Sequence, residues 1–159
     1  METIWQELSS GFADTQQLVR VIIRLIAAVL LGSIIGFERE RAGKEAGLRT
    51  HILVTLGTTS VVLACTGFEM SSDGLSRVIQ GIVTGIGFIG AGSILKLNEE
   101  KDIRGLTTAA GLWMTCAIGI AVGLGELGLA LLCSVMALLV LGFLGKFDVV
   151  RAPDEQKKA

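Results

Sequence analysis

GIVTGIGFIGAGSILK, residues 81–96, is apolar enough to enter a bilayer, yet it places glycine at 81, 85, 87, 90 and 92. Each glycine costs a helix interior about 1 kcal/mol relative to alanine, a cost that a purely lipid-facing helix has no reason to carry. Gly81 and Gly85 have the small-xxx-small (GxxxG) spacing that lets two transmembrane backbones touch, and Gly87, Gly90 and Ala91 carry the small surface around much of the helix. The third span is therefore expected to be the central, tightly surrounded helix of a membrane bundle. An alternative is that the glycines let the helix unwind beside a polar cavity, with Gln80 and Thr84 one turn apart as its polar groups, an arrangement that suits transport.

The composition around this stretch agrees with a membrane class. Of 159 residues 51% are hydrophobic and 18% charged, with a mean hydropathy of +0.66, and the charges cluster between long uncharged runs. Apolar runs place spans near 18–37, 52–68, 106–124 and 127–144, with the glycine-rich span starting near Val78. The expected fold is all-α, with five transmembrane helices, the last Leu-rich, peripheral and lipid-exposed. Residues 1–16 form an outer interfacial tail, 17–147 the membrane domain and 148–159 a cytoplasmic tail. Within the first tail, Ile4, Trp5, Leu8 and Phe12 share one side of a helical wheel. No Lys or Arg precedes Arg20, so a secretory signal is not expected and the first span is read as retained.

Several function classes are disfavoured. No basic stripe with interleaved aromatics occurs, which argues against nucleic acid. Cys65, Cys116 and Cys133 all fall in predicted spans with no CxxC spacing, so they read as small buried hydrophobes. His51 is the sole histidine, which precludes a multi-histidine metal site within one chain. No nucleophile, base and orienting group occur together, so no enzyme and no cofactor are expected. GIGFIGAG lacks the strand–turn–helix setting of a dinucleotide loop.

Positive residues orient the bundle. Arg39, Arg41, Lys44 and Arg49 fall in the first charged loop, Lys96, Lys101 and Arg104 in the second, and Lys146, Arg151, Lys157 and Lys158 in the tail; these are eleven of 14. Alternate loops agree, giving an outside amino terminus and a cytoplasmic carboxyl terminus by the positive-inside rule. The two loops also share their flanks. GSII (32–35) is followed by GLRT (47–50), and GSIL (92–95) by GLTT (105–108). The echo suggests two helical hairpins of the same orientation, related by a pseudo-twofold axis along the membrane normal, plus the fifth helix.

At the inner mouth of such a pair the chemically richest residues gather: Glu38, Arg39, Glu40, Arg49, Thr50, His51, Arg104, Thr107 and Thr108. Helix amino ends there suit an anion or carboxylate, while Glu38 is a weak candidate for a hydrated cation. A structural use, Glu38 pairing with Arg49 or a helix end, is the leading expectation. Thr107 or Thr108 could cap the fourth helix. Trp113 lies too deep for an interfacial belt and is expected to pack in the bundle. Arg20 would snorkel, whereas the deeper Arg24 either snorkels or faces the bundle. Gly32 and Gly36 repeat the small-residue spacing in the first span.

Four motifs at these residues carry a resemblance: IGFERE (35–40), AGLRTH (46–51), TGIGFIGAGSI (84–94) and RGLTTAAGLW (104–113). Together, and in this spacing, they resemble the MgtC/SapB family of bacterial inner-membrane proteins across the membrane region. The resemblance implies a multi-pass protein linked to magnesium limitation, acid tolerance and, in some pathogens, survival inside macrophages. Relatives similar to MgtC are implicated in restraining the ATP synthase and in ion or pH homeostasis. Longer members carry a soluble carboxyl-terminal domain, so the match expected here is to the shorter SapB-like form. The leading expectation is thus a non-enzymatic regulator of ion homeostasis that lies in the lipid bilayer as a homodimer or against another membrane complex. The alternative is a small ion transporter or channel beside the third helix.

Overall fold

A helix occupies the middle of a bundle when it offers small or apolar surface in several directions at once, and the fourth span does so. A computed structural model describes residues 3, 14–67, 70–96 and 103–144. Its helices are α1 (Thr15–Arg41), α2 (Leu48–Gly67), α3 (Ser72–Gly92), α4 (Leu106–Leu124) and α5 (Leu127–Leu138), the last running on into a π-helix, Leu139–Leu144. Four of them, α1 to α4, are long and apolar enough to cross a membrane. The 12 residues of α5 and the 6 of the π-helix extend together for ~25 Å, close to the ~30 Å hydrocarbon thickness. The amino-terminal segment with Ile4, Trp5, Leu8 and Phe12, the tip of the second charged loop and the 148–159 tail lie outside the described residues.

Polarity is distributed as a bilayer demands. Ile22, Ile26, Leu30 and Ile34 form an exposed stripe along α1, and Leu129, Leu131, Leu132 and Val135 are exposed on α5, while His51, Thr55, Thr59 and Thr115 are buried. α4 alone packs substantially against each of the other four helices among the described residues. Ile118, Ala121 and Val122 of α4 form an apolar core with Ala28, Leu31 and Ile35 of α1, Ala130 and Ala137 of α5, and Leu141.

The seam between α4 and α2 is built from small residues. Gly111, Thr115, Gly119 and Gly123 recur every fourth residue on α4. A Cβ at Gly119 would lie 2.8 Å from the Thr55 carbonyl oxygen, and one at Gly123 would lie 2.6 Å from Cβ of Val62. The Thr59 hydroxyl donates across this seam to the Gly119 carbonyl at 2.8 Å. Between α1 and α2 the same device operates: a Cβ at Gly36 would meet the Leu48 Cα at 2.7 Å, and one at Gly32 the His51 carbonyl oxygen at 3.0 Å.

The glycine-rich span is therefore not the central helix. Gly81, Gly85, Gly87 and Gly92 on α3 have nothing within 4 Å of where a Cβ would stand, and Phe88 is 84% exposed. Only Ile86 and Gly90 of α3 are buried, Gly90 against Ala109 of α4. The physical reason lies in the connectivity: in two hairpins of like orientation, α2 and α4 form the inner pair and α3 is left at the edge. Glycine content marks where a backbone can be approached, not which neighbour approaches it. α3 also stays helical through its glycines, so no break accompanies them. Trp113 is 50% exposed on the outside of α4 and does not pack in the bundle.

Helix ends follow local chemistry. Ser71 caps α3 by accepting from the Gly74 N–H at 3.3 Å. α4 starts instead at Gly105, whose φ of +92° and closeness to the Ser93 carbonyl admit only glycine, so neither Thr107 nor Thr108 is the cap. Its other end closes at Gly125, again at φ +92°, with the Glu126 N–H donating to Ala121 O and the Gly125 N–H to Val122 O. Short antiparallel pairing of β1 (Leu95–Lys96) with β2 (Ile103–Arg104) closes the base of the second charged loop.

Candidate functional site

α1 ends, and α2 and α4 begin, at the end of the bundle that carries the two charged loops, and this brings most of the expected mouth together. Glu38 does not reach Arg49 there. Both of its carboxylate oxygens accept from its neighbour Arg39, from Nε and, at 2.7 Å, from Nη2. The same Nη2 donates to the Leu141 carbonyl of the π-helix at 3.1 Å. Arg39 is 3% exposed and Glu38 25%, so the guanidinium is sealed beneath its counter-charge. With both oxygens so engaged, Glu38 is not disposed to hold a cation, and among the described residues no three His, Cys, Asp or Glu side chains gather.

Glu40 has a separate task. Its carboxylate accepts from the Leu48 N–H at 2.9 Å and so caps α2, satisfying one of the donors a helix start leaves over. Gly47 makes room for it, since a Cβ there would stand 2.8 Å from Glu40 Oε2. Arg49, Arg104 and Thr107 are exposed and Thr50 is half-buried, while Thr108 is buried one turn into α4.

Beneath this lid lies His51, fully buried with 0% exposure. Its Nδ1 is 2.7 Å from the Thr115 hydroxyl oxygen, and that hydroxyl donates its own proton to the Gly111 carbonyl at 2.9 Å. Nδ1 and the Thr115 hydroxyl share a hydrogen bond whose donor is set by the imidazole tautomer. Nε2 is buried and has no hydrogen-bond partner among the described residues. The arrangement leaves one imidazole nitrogen without a close hydrogen-bond partner among the described residues, just under a buried ion pair. Thr115 and the Leu141 carbonyl are the members that the sequence reading missed. The four-residue spacing of Gly111, Thr115, Gly119 and Gly123 was the signal for Thr115; a backbone carbonyl on a distant helix leaves none.

At the opposite end, Arg24 faces protein and donates through Nη1 to the Gly123 carbonyl of α4 at 2.8 Å. Gln80, Gly81, Thr84, Gly85, Gly87 and Gly92 are not brought into the mouth, and Thr84 donates to its own helix at the Gln80 carbonyl, 2.8 Å away.

Comparison with known proteins places this geometry. A profile described as the MgtC family matches residues 25–149. "Putative magnesium transporter YhiD" of Escherichia coli K12 is 49% identical over 127 residues, covering 76% of this chain and 58% of its own length. Protein SrpB of Synechococcus elongatus is 40% identical over 129 residues, covering 74% of this chain and 71% of its own length. Protein MgtC of Salmonella typhimurium is 43% identical over 117 residues, covering 74% and 49% respectively. The chain thus spans about half to three-fifths of the length of YhiD and MgtC. No solved structure matches.

Proposed function

Because this chain belongs to the MgtC family, we propose that it is a non-enzymatic, magnesium-linked protein of the bacterial inner membrane that acts through contacts of its membrane helices. The name of its relative YhiD supplies the magnesium link. The observation that carries the regulatory reading over the transporter is the closeness of α2 and α4, where a methyl group at Gly119 would stand 2.8 Å from the Thr55 carbonyl oxygen. An ion needs polar oxygens around a wet path; the inner seam has no room for one, and a path beside α3 is what the flux measurement below tests. The charged-loop end lies in the cytoplasm on this reading, in keeping with its excess of Lys and Arg.

The contact begins with a second copy. α5 packs against α1 and α4, whereas the pseudo-twofold-related groove, between α3 and α2, holds no helix among the described residues. The glycines 81, 85, 87 and 92 of α3 are open, so close backbone approach there costs nothing in displaced side chains. Purified protein in liposomes loaded with a magnesium-sensitive dye tests the scheme. Flux no greater than that of protein-free vesicles is expected, together with a crosslinked dimer that Gly85→Leu dissociates. Selective, protein-dependent magnesium flux would establish the transporter instead.

A further inference from the structure

At the end of the bundle away from the charged loops, the start of α1 and the finish of α2 enclose an open cavity of about 390 Å³. Its wall carries two guanidinium groups, Arg20 and Arg24, one helical turn apart, with Val21 between them and Leu63 opposite. Asp14 lies at the same wall. Arg24 is anchored by the Gly123 carbonyl at 2.8 Å and packs over Gly125, which keeps its remaining N–H donors in place beside the cavity. Arg20 makes no hydrogen bond or ion pair among the described residues, although it stands at a lipid–water boundary where cations ordinarily find counter-charge. The Thr66 hydroxyl at the same wall is already spent on the Leu63 carbonyl at 3.0 Å, and Gln16 and Gln17 add neutral amides to the lining, so its cationic donors are those of Arg20 and Arg24.

From this geometry we propose that the cavity binds a phosphate group, held between Arg20 and Arg24. Planar guanidinium forks match phosphate oxygens two at a time, and one fork is pre-set by its carbonyl anchor. The volume exceeds what the phosphate alone needs and admits the atoms it is esterified to. Two sources share this chemistry, the phosphodiester of a phospholipid headgroup and free inorganic phosphate. Asp14 separates them: its carboxylate repels a small dianion yet complements the ammonium of a phosphoethanolamine headgroup. The site stands at the far end from the His51 mouth and does not depend on the function proposed above.

Binding is measured on the full chain in detergent by native mass spectrometry with phosphatidylethanolamine, phosphatidylglycerol and a phosphate-free galactolipid, and by 31P NMR titration with inorganic phosphate. Retention of phospholipid over galactolipid, undiminished by millimolar phosphate, identifies the headgroup; saturable phosphate binding that displaces the lipid identifies the free ion. In either case Arg20→Gln weakens binding about tenfold, as loss of a charge-assisted pair requires, and Arg20→Lys restores part of it. Val21→Trp fills the cavity while keeping both charges and produces a similar loss. No preference of the wild-type chain for any phosphate-bearing probe overturns the proposal, and so does binding unchanged in Arg20→Gln and Val21→Trp.

Discussion

Replacing Glu38 by glutamine removes one charge and almost no volume, so it isolates the worth of the ion pair beneath the mouth. Breaking a buried pair by deleting one partner costs about 3–5 kcal/mol, because the other charge remains buried without compensation. Two features of this pair lower that figure. Glutamine keeps one oxygen to accept from Arg39, worth about 1 kcal/mol, and Glu38 is 25% exposed, so water reaches the edge of the site. Arg39, at 3% exposure, has no such access and keeps only neutral acceptors, the glutamine oxygen and the Leu141 carbonyl at 3.1 Å. The expected loss is about 2–3 kcal/mol, or a fall in melting temperature of about 5–10 °C for a chain of this size. Thermal unfolding in detergent measures it, with membrane insertion followed separately and expected to be unchanged. The double variant Glu38→Gln/Arg39→Met removes the stranded charge and should regain at least half of the loss. A single variant melting within about 2 °C of the parent, or a double variant whose losses simply add, would refute the claim that Arg39 depends on Glu38.

Three further substitutions separate the parts of the bundle. Gly119→Leu drives a side chain into the α2 backbone and should destabilise the monomer by more than about 3 kcal/mol, whereas Gly85→Leu enters open space and should leave monomer unfolding unchanged; SDS-induced unfolding at constant micelle composition compares them. Gly125→Ala forces a left-handed conformation on a Cβ that also meets Arg24, so a loss of about 2 kcal/mol is expected in the same assay. Thr115→Val removes the hydroxyl bonded to His51 Nδ1 and leaves that buried ring nitrogen unpaired; a cost of about 1–3 kcal/mol is expected, together with a displaced imidazole resonance in 15N NMR.

Much of the fold was legible because a bilayer simplifies the problem. Long apolar runs can only be helices where no water satisfies the backbone, and the observed Leu106–Leu124 coincides with the uncharged run. The repeat of GS and GL flanks announced two hairpins of like sense, and α2 does run alongside α4, as the contacts from Thr59 to Gly119 and from His51 to Thr115 require. What composition could not supply was the identity of the inner helix. Gly81 and Gly85 carry the same spacing as Gly119 and Gly123, and local sequence does not record which of two such stripes meets a neighbour. The mouth was legible as a cluster and illegible in its pairing. Glu38 bonded the adjacent Arg39 and not Arg49, because only Arg39 is buried deeply enough to need a counter-charge at that point.

The two buried or half-buried arginines of α1 now have a common explanation that bears on where chemistry can occur. Helix ends leave carbonyl groups without N–H partners, and in a bilayer such groups need donors from elsewhere in the protein. Arg24 donates to Gly123 in the last turn of α4, and Arg39 to Leu141 within the closing π-helical turn after α5. Each thereby ties α1 to the finish of a different helix, at opposite ends of the bundle. Their positions in an apolar helix are accounted for by these carbonyls, so neither is required to line an ion path. The same accounting leaves over what the carbonyls do not use: Nε2 of His51 beneath one end, and the Arg20 guanidinium beside a cavity at the other. A polar group with no structural partner is the place to look for a ligand, and among the described residues these two stand one towards each end of the bundle.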